Sequence, residues 1–423
     1  MTSLLPSPPH HPGRYTIIVD PLSTGQEYPA AFKEAGQIPV AVLSGSEPPP
    51  AYTTSWHPDD FEHVHYFTGD VAALAEELRA YDPQYLVPGA ESGVELCDQL
   101  TEILVPGTGN EPSLASARRD KWEMAQALSA AGVPRLRQLR TADPAEAERW
   151  LKETDLLGKR LVIKPPKSAA GDEVYVVFED GDWRERFDRV LGRTNKMGLV
   201  NDAVLIQEYA EGTEYLVDSY TVDGKHSLVD VCRYTKISRG DKIGIYHRID
   251  FLAADDPEVL ALWPYTQQVL DAVGIRVGCG HAEVMMTADG PLLIEVAARP
   301  AGGGHQMVSE LATGDNHIKR TVAHRVRGEV RDSFDLVQHL RGIFISAYRD
   351  GYFRNREVFD GVESLKSFHW MKILHADDAI VPETVDLFTC LAWVILIHSD
   401  AQTLDDDYRR VLEMEAAIVI DES

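Results

Sequence analysis

Apolar and polar positions alternate along the chain in blocks that predict strands and helices in turn. Residues 15–20 form a β-branched run and residues 38–43 a second one. Between them, residues 27–35 have helical spacing and stop at Gly36. Residues 71–81 read as a further helix and 85–88 as a further strand. This succession predicts a small parallel α/β domain over residues 14–112. Residues 116–131 and 145–154 predict helices, and 160–164 a strand. A loop of small residues, 165–172, leads to a second strand at 173–178. A helix over 183–191 and extended runs at 203–209 and 214–222 follow. Helices and antiparallel strands continue to about residue 330; beyond it, strands at 342–346 and 391–398 accompany one helix at 405–415. The expected divisions are a flexible start (1–13), the α/β domain (14–112), a second domain (113–330) and an α+β subdomain (331–423).

Bulk composition narrows the function. A chain of 423 residues exceeds one ordinary core and predicts two to four domains or subdomains. Lys plus Arg number 41 against 67 Asp plus Glu, a formal charge of −26. Such a surface favours solubility and repels phosphate backbones and anionic lipid, so neither nucleic acid nor membrane is an expected partner. An anionic substrate then needs a local basic pocket. Cys97, Cys232, Cys279 and Cys390 are widely spaced, with no CxxC pair, and read as reduced thiols. The start is rich in Pro and His without a basic-then-apolar pattern, and no run approaches ~18 apolar residues. A cytoplasmic enzyme is expected. The loop after the first strand, residues 20–25, holds one glycine and lacks the dinucleotide fingerprint. Gly158-Lys159 and Gly224-Lys225 lack the upstream glycine and following Ser/Thr of a P-loop.

The strongest chemical signal lies at residues 281–299. Two apolar strands flank a turn with Asp289-Gly290, a hairpin signature. A turn centred on Asp289 sets Glu283 opposite Glu295, with Cβ atoms about 5 Å apart. Like charges placed there destabilise a sheet unless something neutralises them, and magnesium favours carboxylate oxygens. The alternative is two exposed glutamates on a sheet edge; Val284, Ile294 and Val296 argue instead for a packed opposite face. Arg299 follows Glu295 by four residues, on the same strand face. It suits a transferring phosphoryl group, or simply pairs with the glutamates. Gly302, Gly303 and Gly304 allow close backbone approach and suggest an open pocket, with Gly303 beside the substrate. Lys164 ends a strand before the small-residue loop, whose backbone N–H groups, around Ser168 and Gly171, suit a phosphate cover.

Taken in order, Arg118-Arg119-Asp120-Lys121, Lys164 with its loop, Ile206-Gln207-Glu208-Tyr209, Glu214, His281-Ala282-Glu283 and Glu295 to Arg299 resemble the ATP-grasp superfamily. The likeness spans residues 118–304 and is greatest to its carboxylate–amine ligases, in particular the L-amino-acid ligases that make dipeptides. The resemblance implies an ATP-grasp fold, α/β and α+β, with a Rossmann-like N-terminal domain and a C-terminal α+β subdomain. It implies that Lys121 and Lys164 contact ATP, that Glu208 and Tyr209 form a hinge reading adenine largely through backbone, and that Glu214 takes the ribose hydroxyls. Glu283 and Glu295 would bind Mg2+, with Mn2+ as the alternative ion. Arg299 would steady the transferred phosphoryl and the acyl intermediate. Met285 or Ile294 would pack on adenine or serve as plain core. One departure is Ala297, where many ATP-grasp enzymes place an Asn that helps hold the metal. This weakens a carboxylase or purine-pathway assignment and leaves one metal ligand unaccounted for.

The reaction so implied joins a carboxylate to an amine through an acyl phosphate. Family likeness implies small-molecule substrates, amino acids among them, and analogy a homodimer. Residues 165–172 and 234–250 are the candidate lids. Within the second, Lys236, His247 and Arg248 either receive a substrate carboxylate or belong to a solvated loop. His281 either orients the amine or bonds within the sheet. The rival readings are another ligase chemistry on the same scaffold and an ATP-binding protein without turnover.

Overall fold

The computed structural model describes residues 13–168, 171–239, 242–377, 379–385 and 389–421. The flexible start expected at residues 1–13 therefore lies, but for Gly13, outside the described residues.

The N-terminal part runs β1 (Tyr15–Val19), α1 (Tyr28–Glu34), β2 (Ile38–Leu43), β3 (His63–Tyr66), α2 (Val71–Leu78), β4 (Leu86–Pro88) and α3 (Val94–Leu104). Its four strands are parallel in the order β3-β2-β1-β4, the expected α/β arrangement. Ile17, Val19, Val40 and Val42 pack one face against Leu74, Leu78, Leu96 and Leu100. Strand order reverses between β1 and β4, so the loops after these strands open a crevice at their carboxyl ends. The two loops are pressed together: a Cβ at Gly89 would lie 2.4 Å from the Asp20 carbonyl oxygen, so only glycine fits.

Helix α4 (Lys121–Ala130) starts later than the sequence pattern suggests. Asp120 is the reason: its carboxylate accepts from the N–H groups of Trp122 and Glu123, and Ser116–Arg118 forms a separate short turn. Strands β5 (Gln138–Thr141), β6 (Leu161–Lys164), β7 (Tyr175–Val177) and β8 (Val204–Glu208) then build an antiparallel sheet, β5-β8-β6-β7. Helices α5 (Pro144–Glu153) and α6 (Trp183–Val190) bury Leu151 and Phe187 against Ile163 and Ile206.

The largest sheet has eight antiparallel strands in the order β13-β12-β9-β10-β11-β14-β18-β16. They are β9 (Thr213–Val222), β10 (Lys225–Arg239), β11 (Lys242–Phe251), β12 (Gly278–Thr287), β13 (Gly290–Ala297), β14 (His339–Ile345), β16 (Phe368–Ile373) and β18 (Ala392–His398). Alternation assigns its two faces. Tyr215, Val217, Val231, Ala282, Val284 and Val296 meet α7 (Pro257–Ala272). Leu216 and Cys232 face the other way, where Val308 and Ala312 of α8 (His305–Thr313) cover part of the sheet and α9 (His317–Arg327) follows. The segment 234–250, a candidate lid or solvated loop from sequence, belongs to the β10–β11 hairpin; residues 240 and 241 lie outside the described residues. Helix α10 (Ala401–Ala416) packs on β14 and β18, beside a small sheet of β15 (Gly351–Phe353), β17 (Ile380–Val381) and β19 (Ile420–Asp421). The division expected at residue 330 thus falls between strands of one continuous sheet. Among the described residues no helix is long and apolar enough to cross a membrane.

Candidate active site

Glu283 and Glu295 are direct cross-strand partners, as the sequence pattern suggests, but the route differs. The turn is the tight two-residue one, with Thr287 opposite Gly290 and Val284 opposite Leu293. A shift between Glu283 and Val284 then leaves Ile294 as the extra residue of a β-bulge and returns Glu295 to Glu283. Without the bulge Ile294 would face Glu283.

Cations gather beside this pair. Lys121 Nζ lies 2.8 Å from Glu295 Oε2 and 3.1 Å from the Ser168 carbonyl oxygen. Lys164 is buried at the end of β6 and donates to Gln207 Oε1 at 3.1 Å. Burial first, and Lys121 second, pull its ammonium down to about 8, against the glutamates that raise it. Burial pushes the Glu283 carboxyl well above the usual range, helped by Glu295 and Glu214. Burial acts the same way on Glu295, yet Lys121, Lys164 and Arg299 together hold it below that range. Two opposed carboxylates that resist ionising together, with a lysine already drawn onto one of them, fit a hard divalent cation.

On one side of the pair lies a slot between the two antiparallel sheets. Met285 and Ile294 pack with Leu136 and Ala210, and Ala210 sits on the connection from β8 to β9. Both apolar residues singled out from sequence therefore line this junction. Glu214 is buried and takes Lys236 Nζ at 2.5 Å and the Tyr246 hydroxyl at 2.8 Å. Lys236 thus belongs to this end of the site and is already paired. The Glu208 carboxylate accepts from Arg137 N and Nε at 2.7 and 2.6 Å, and the Glu208 and Tyr209 N–H groups reach the carbonyls of Arg137 and Arg160. These groups of the β8–β9 connection are thus already engaged within the chain. Ser168 is buried and donates to Asp172 at 3.1 Å; Gly171 is exposed in a left-handed conformation, φ +70°. Residues 169 and 170 of this loop lie outside the described residues.

On the other side, Arg299 turns into the N-terminal crevice rather than onto the glutamates. Its Nε donates to Glu91 Oε2 at 2.9 Å, and Arg119 Nη1 stands 3.6 Å from the other oxygen of Glu91. Burial raises the nearby Tyr52 hydroxyl, which feels Arg299, Glu91 and Arg119. The Thr24 hydroxyl donates to the Ala301 carbonyl at 2.7 Å, tying the same crevice to the glycines that follow. Gly303 and Gly304 are exposed and left-handed at the start of α8, with φ +65° and +76°. His281 shares the face of Glu283, its Nδ1 2.6 Å from Asp218 Oδ1.

His247 and Arg248 do not join the site. A bulge at His247 turns it towards α10, where Nε2 lies 3.0 Å from Glu415 Oε2; Arg248 pairs with Asp250 at 2.9 Å and covers the Tyr408 ring. Arg118 is a brace, donating to Asp98 and to the carbonyls of Glu111 and Val273. Sequence reading placed Arg119 and Gln207 in its motifs without a role of their own, and missed Glu91, Tyr52 and Asp218. For Glu91 a signal existed: it lies just beyond a parallel strand at the point where strand order reverses.

With this geometry in place, comparison with known proteins is direct. The ATP-grasp domain family matches residues 157–307. Dapdiamide A synthase of Enterobacter agglomerans is 28% identical over 415 residues, covering 95% of each chain. Phosphoribosylamine–glycine ligase of Methanothermobacter thermautotrophicus is 27% identical over 250 residues, 55% of this chain and 56% of that one. Among solved structures, the L-amino acid ligase from Bacillus licheniformis superposes with a TM-score of 0.69 at 15% identity, covering 98% of this chain and all of that one. The fold is the ATP-grasp fold, residues 157–307 match the ATP-grasp domain, and the chain is similar to ligases of this fold, the L-amino-acid ligases among them.

Proposed function

We propose that this ligase joins an amino-acid carboxylate to the amine of a second small molecule, giving a dipeptide or a closely related amide, through an acyl phosphate. The observation that carries the reading is the placement of Glu283 and Glu295 between a nucleotide-side group of lysines and the Arg299–Glu91 crevice. ATP would lie in the slot beside Met285 and Ile294, with Lys121 and Lys164 at its phosphates and Glu214 at its ribose. Glu283 and Glu295 would hold Mg2+, which when bound neutralises phosphate charge. The crevice offers a carboxylate, Glu91, beside guanidinium groups, Arg119 and Arg299. That is a complementary surface for a molecule carrying both an ammonium and a carboxylate.

In the first step a carboxylate oxygen attacks the γ-phosphorus, the bond to the β-phosphate oxygen breaks, and ADP leaves. In the second the amine nitrogen attacks the acyl carbon, the bond to the phosphate oxygen breaks, and inorganic phosphate leaves with the proton that the amine gives up. The residues act by positioning and by matching charge. Lys164 suits the first step. It is buried, with its ammonium pulled down to about 8, and it gains an anionic partner when a phosphate arrives. The test is capture of the intermediate. ATP, Mg2+, an accepted amino acid and hydroxylamine, without an amine substrate, should yield the amino-acid hydroxamate and ADP. ADP formation with no hydroxamate from any accepted carboxylate would contradict the acyl-phosphate route.

A further inference from the structure

One pair step from the two glutamates, the same sheet face carries a row of polar side chains. Ala297, His281, Asp218 and Asp230 stand side by side on β13, β12, β9 and β10. Helix α8 closes over the row. His305 Nε2 lies 2.9 Å from Asp230 Oδ1 and 3.5 Å from Asp218 Oδ2, and Ser309 Oγ donates to Asp230 Oδ2 at 2.5 Å. His317 Nδ1 is also 3.5 Å from Asp218 Oδ2, but it accepts from the Ala301 N–H, while its Nε2 donates to the Ser219 carbonyl. It therefore has no proton to offer Asp218.

Asp218 is completely buried. One oxygen accepts from His281 Nδ1 at 2.6 Å; the other has no hydrogen-bond partner among the described residues. A buried carboxylate with one unbonded oxygen is a poor device for stability alone. What it does achieve is to fix the His281 ring. With Nδ1–H committed to Asp218, Nε2 is left as an acceptor, and it makes no hydrogen bond among the described residues. Directly opposite, Ala297 presents only a methyl group, with Glu295 two residues before it and Arg299 two residues after.

We propose that Asp218 is a positioning residue that holds His281 with Nε2 towards the reacting centre, where it accepts a hydrogen bond from the incoming amine. His305, held by Asp230, stands 3.5 Å from the other oxygen of Asp218 and offsets its charge. The inference rests on the ligase reading above and assigns its amine-side group.

Two measurements test it. In protein labelled with 15N-histidine at pH 8, the His281 signals, assigned by their loss in His281→Gln, should show Nδ1–H and an unprotonated Nε2. The opposite tautomer would overturn the proposal. In Asp218→Asn, the KM for the amine substrate should rise about tenfold, the loss of roughly one hydrogen bond. KM for ATP and hydroxamate formation with saturating hydroxylamine should stay within about twofold, because that small nucleophile does not depend on orientation. His281→Gln, which keeps an acceptor, should be less impaired than His281→Ala. An unchanged amine KM, or an equal fall in every parameter, would overturn the positioning role. If the wild-type protein forms neither amide nor hydroxamate, the ligase reading fails, and the tautomer spectrum still decides whether Asp218 orients the ring.

Discussion

Glu283 and Glu295 tolerate one another only while positive charge stands nearby, and Lys121 supplies it. Glu295→Ala removes one of the opposed carboxylates and leaves the hairpin intact. It should cut turnover by about a thousandfold or more, the order lost with a key electrostatic group, while the protein keeps its fold and still unfolds cooperatively. Kinetics and calorimetry on the same preparation check both halves. Protons give a second test. The Glu283 carboxyl is raised, so its contribution to stability is present below its unfolded value and is lost as pH rises through the folded one. A divalent ion favours the ionised form. Mg2+ binding at pH 7 should therefore release up to about one proton and tighten as pH rises. Titration calorimetry in buffers of different ionisation heat would show it; heats independent of buffer would contradict it. At this scale the sequence was informative where contacts are local. The Asp289-Gly290 turn makes the glutamate pair readable, even though a tight turn plus the Ile294 bulge, rather than a wider turn, sets the register. The pairings of Glu91 and Asp218 were not readable, because Arg299 is 208 positions from Glu91 and His281 is 63 from Asp218; only the place of Glu91 just beyond β4 pointed to it.

At the scale of elements, helix α8 is held to the sheet by charge as well as by Val308 and Ala312. Burial lowers the His305 imidazole, but Asp230 and Asp218 overcome this and raise it to about 9. Its folded value exceeds the unfolded one. The stabilisation is therefore complete below about pH 6.5 and is lost as pH rises through 9, a swing of about 3 kcal/mol at most. Denaturant unfolding at pH 6 and pH 10 should show that loss in the wild type and little of it in His305→Gln; equal pH dependence in both would be evidence against the account. The β10–β11 hairpin shows why sequence misread an element. Its charged residues look like a solvated loop, yet Lys236 points to Glu214 on one face while Arg248 and His247 point to α10. A bulge at His247 breaks the two-residue period that would have revealed the strand.

For the whole molecule, the N-terminal crevice, the two-sheet slot and the C-terminal strands make one working unit. The parallel domain was readable from its strand–helix order. The shared eight-stranded sheet was not, because β14, β16 and β18 join β11 only through pairing distant in sequence. Truncation after residue 330 removes three strands of that sheet and leaves β11 without its neighbour. It should give an insoluble or unfolded product by circular dichroism and size exclusion; a folded, nucleotide-binding fragment would show that the C-terminal segment is separable. The most direct test of the central claim is phosphate release from ATP and Mg2+ across a matrix of amino-acid pairs, with mass spectrometry of the products. Release that requires two amino acids, and a product at their summed mass less one water, is the expected result. Release that needs only one substrate and yields no amide, or none with any pair while nucleotide still binds, would contradict the account of this site as an amino-acid ligase.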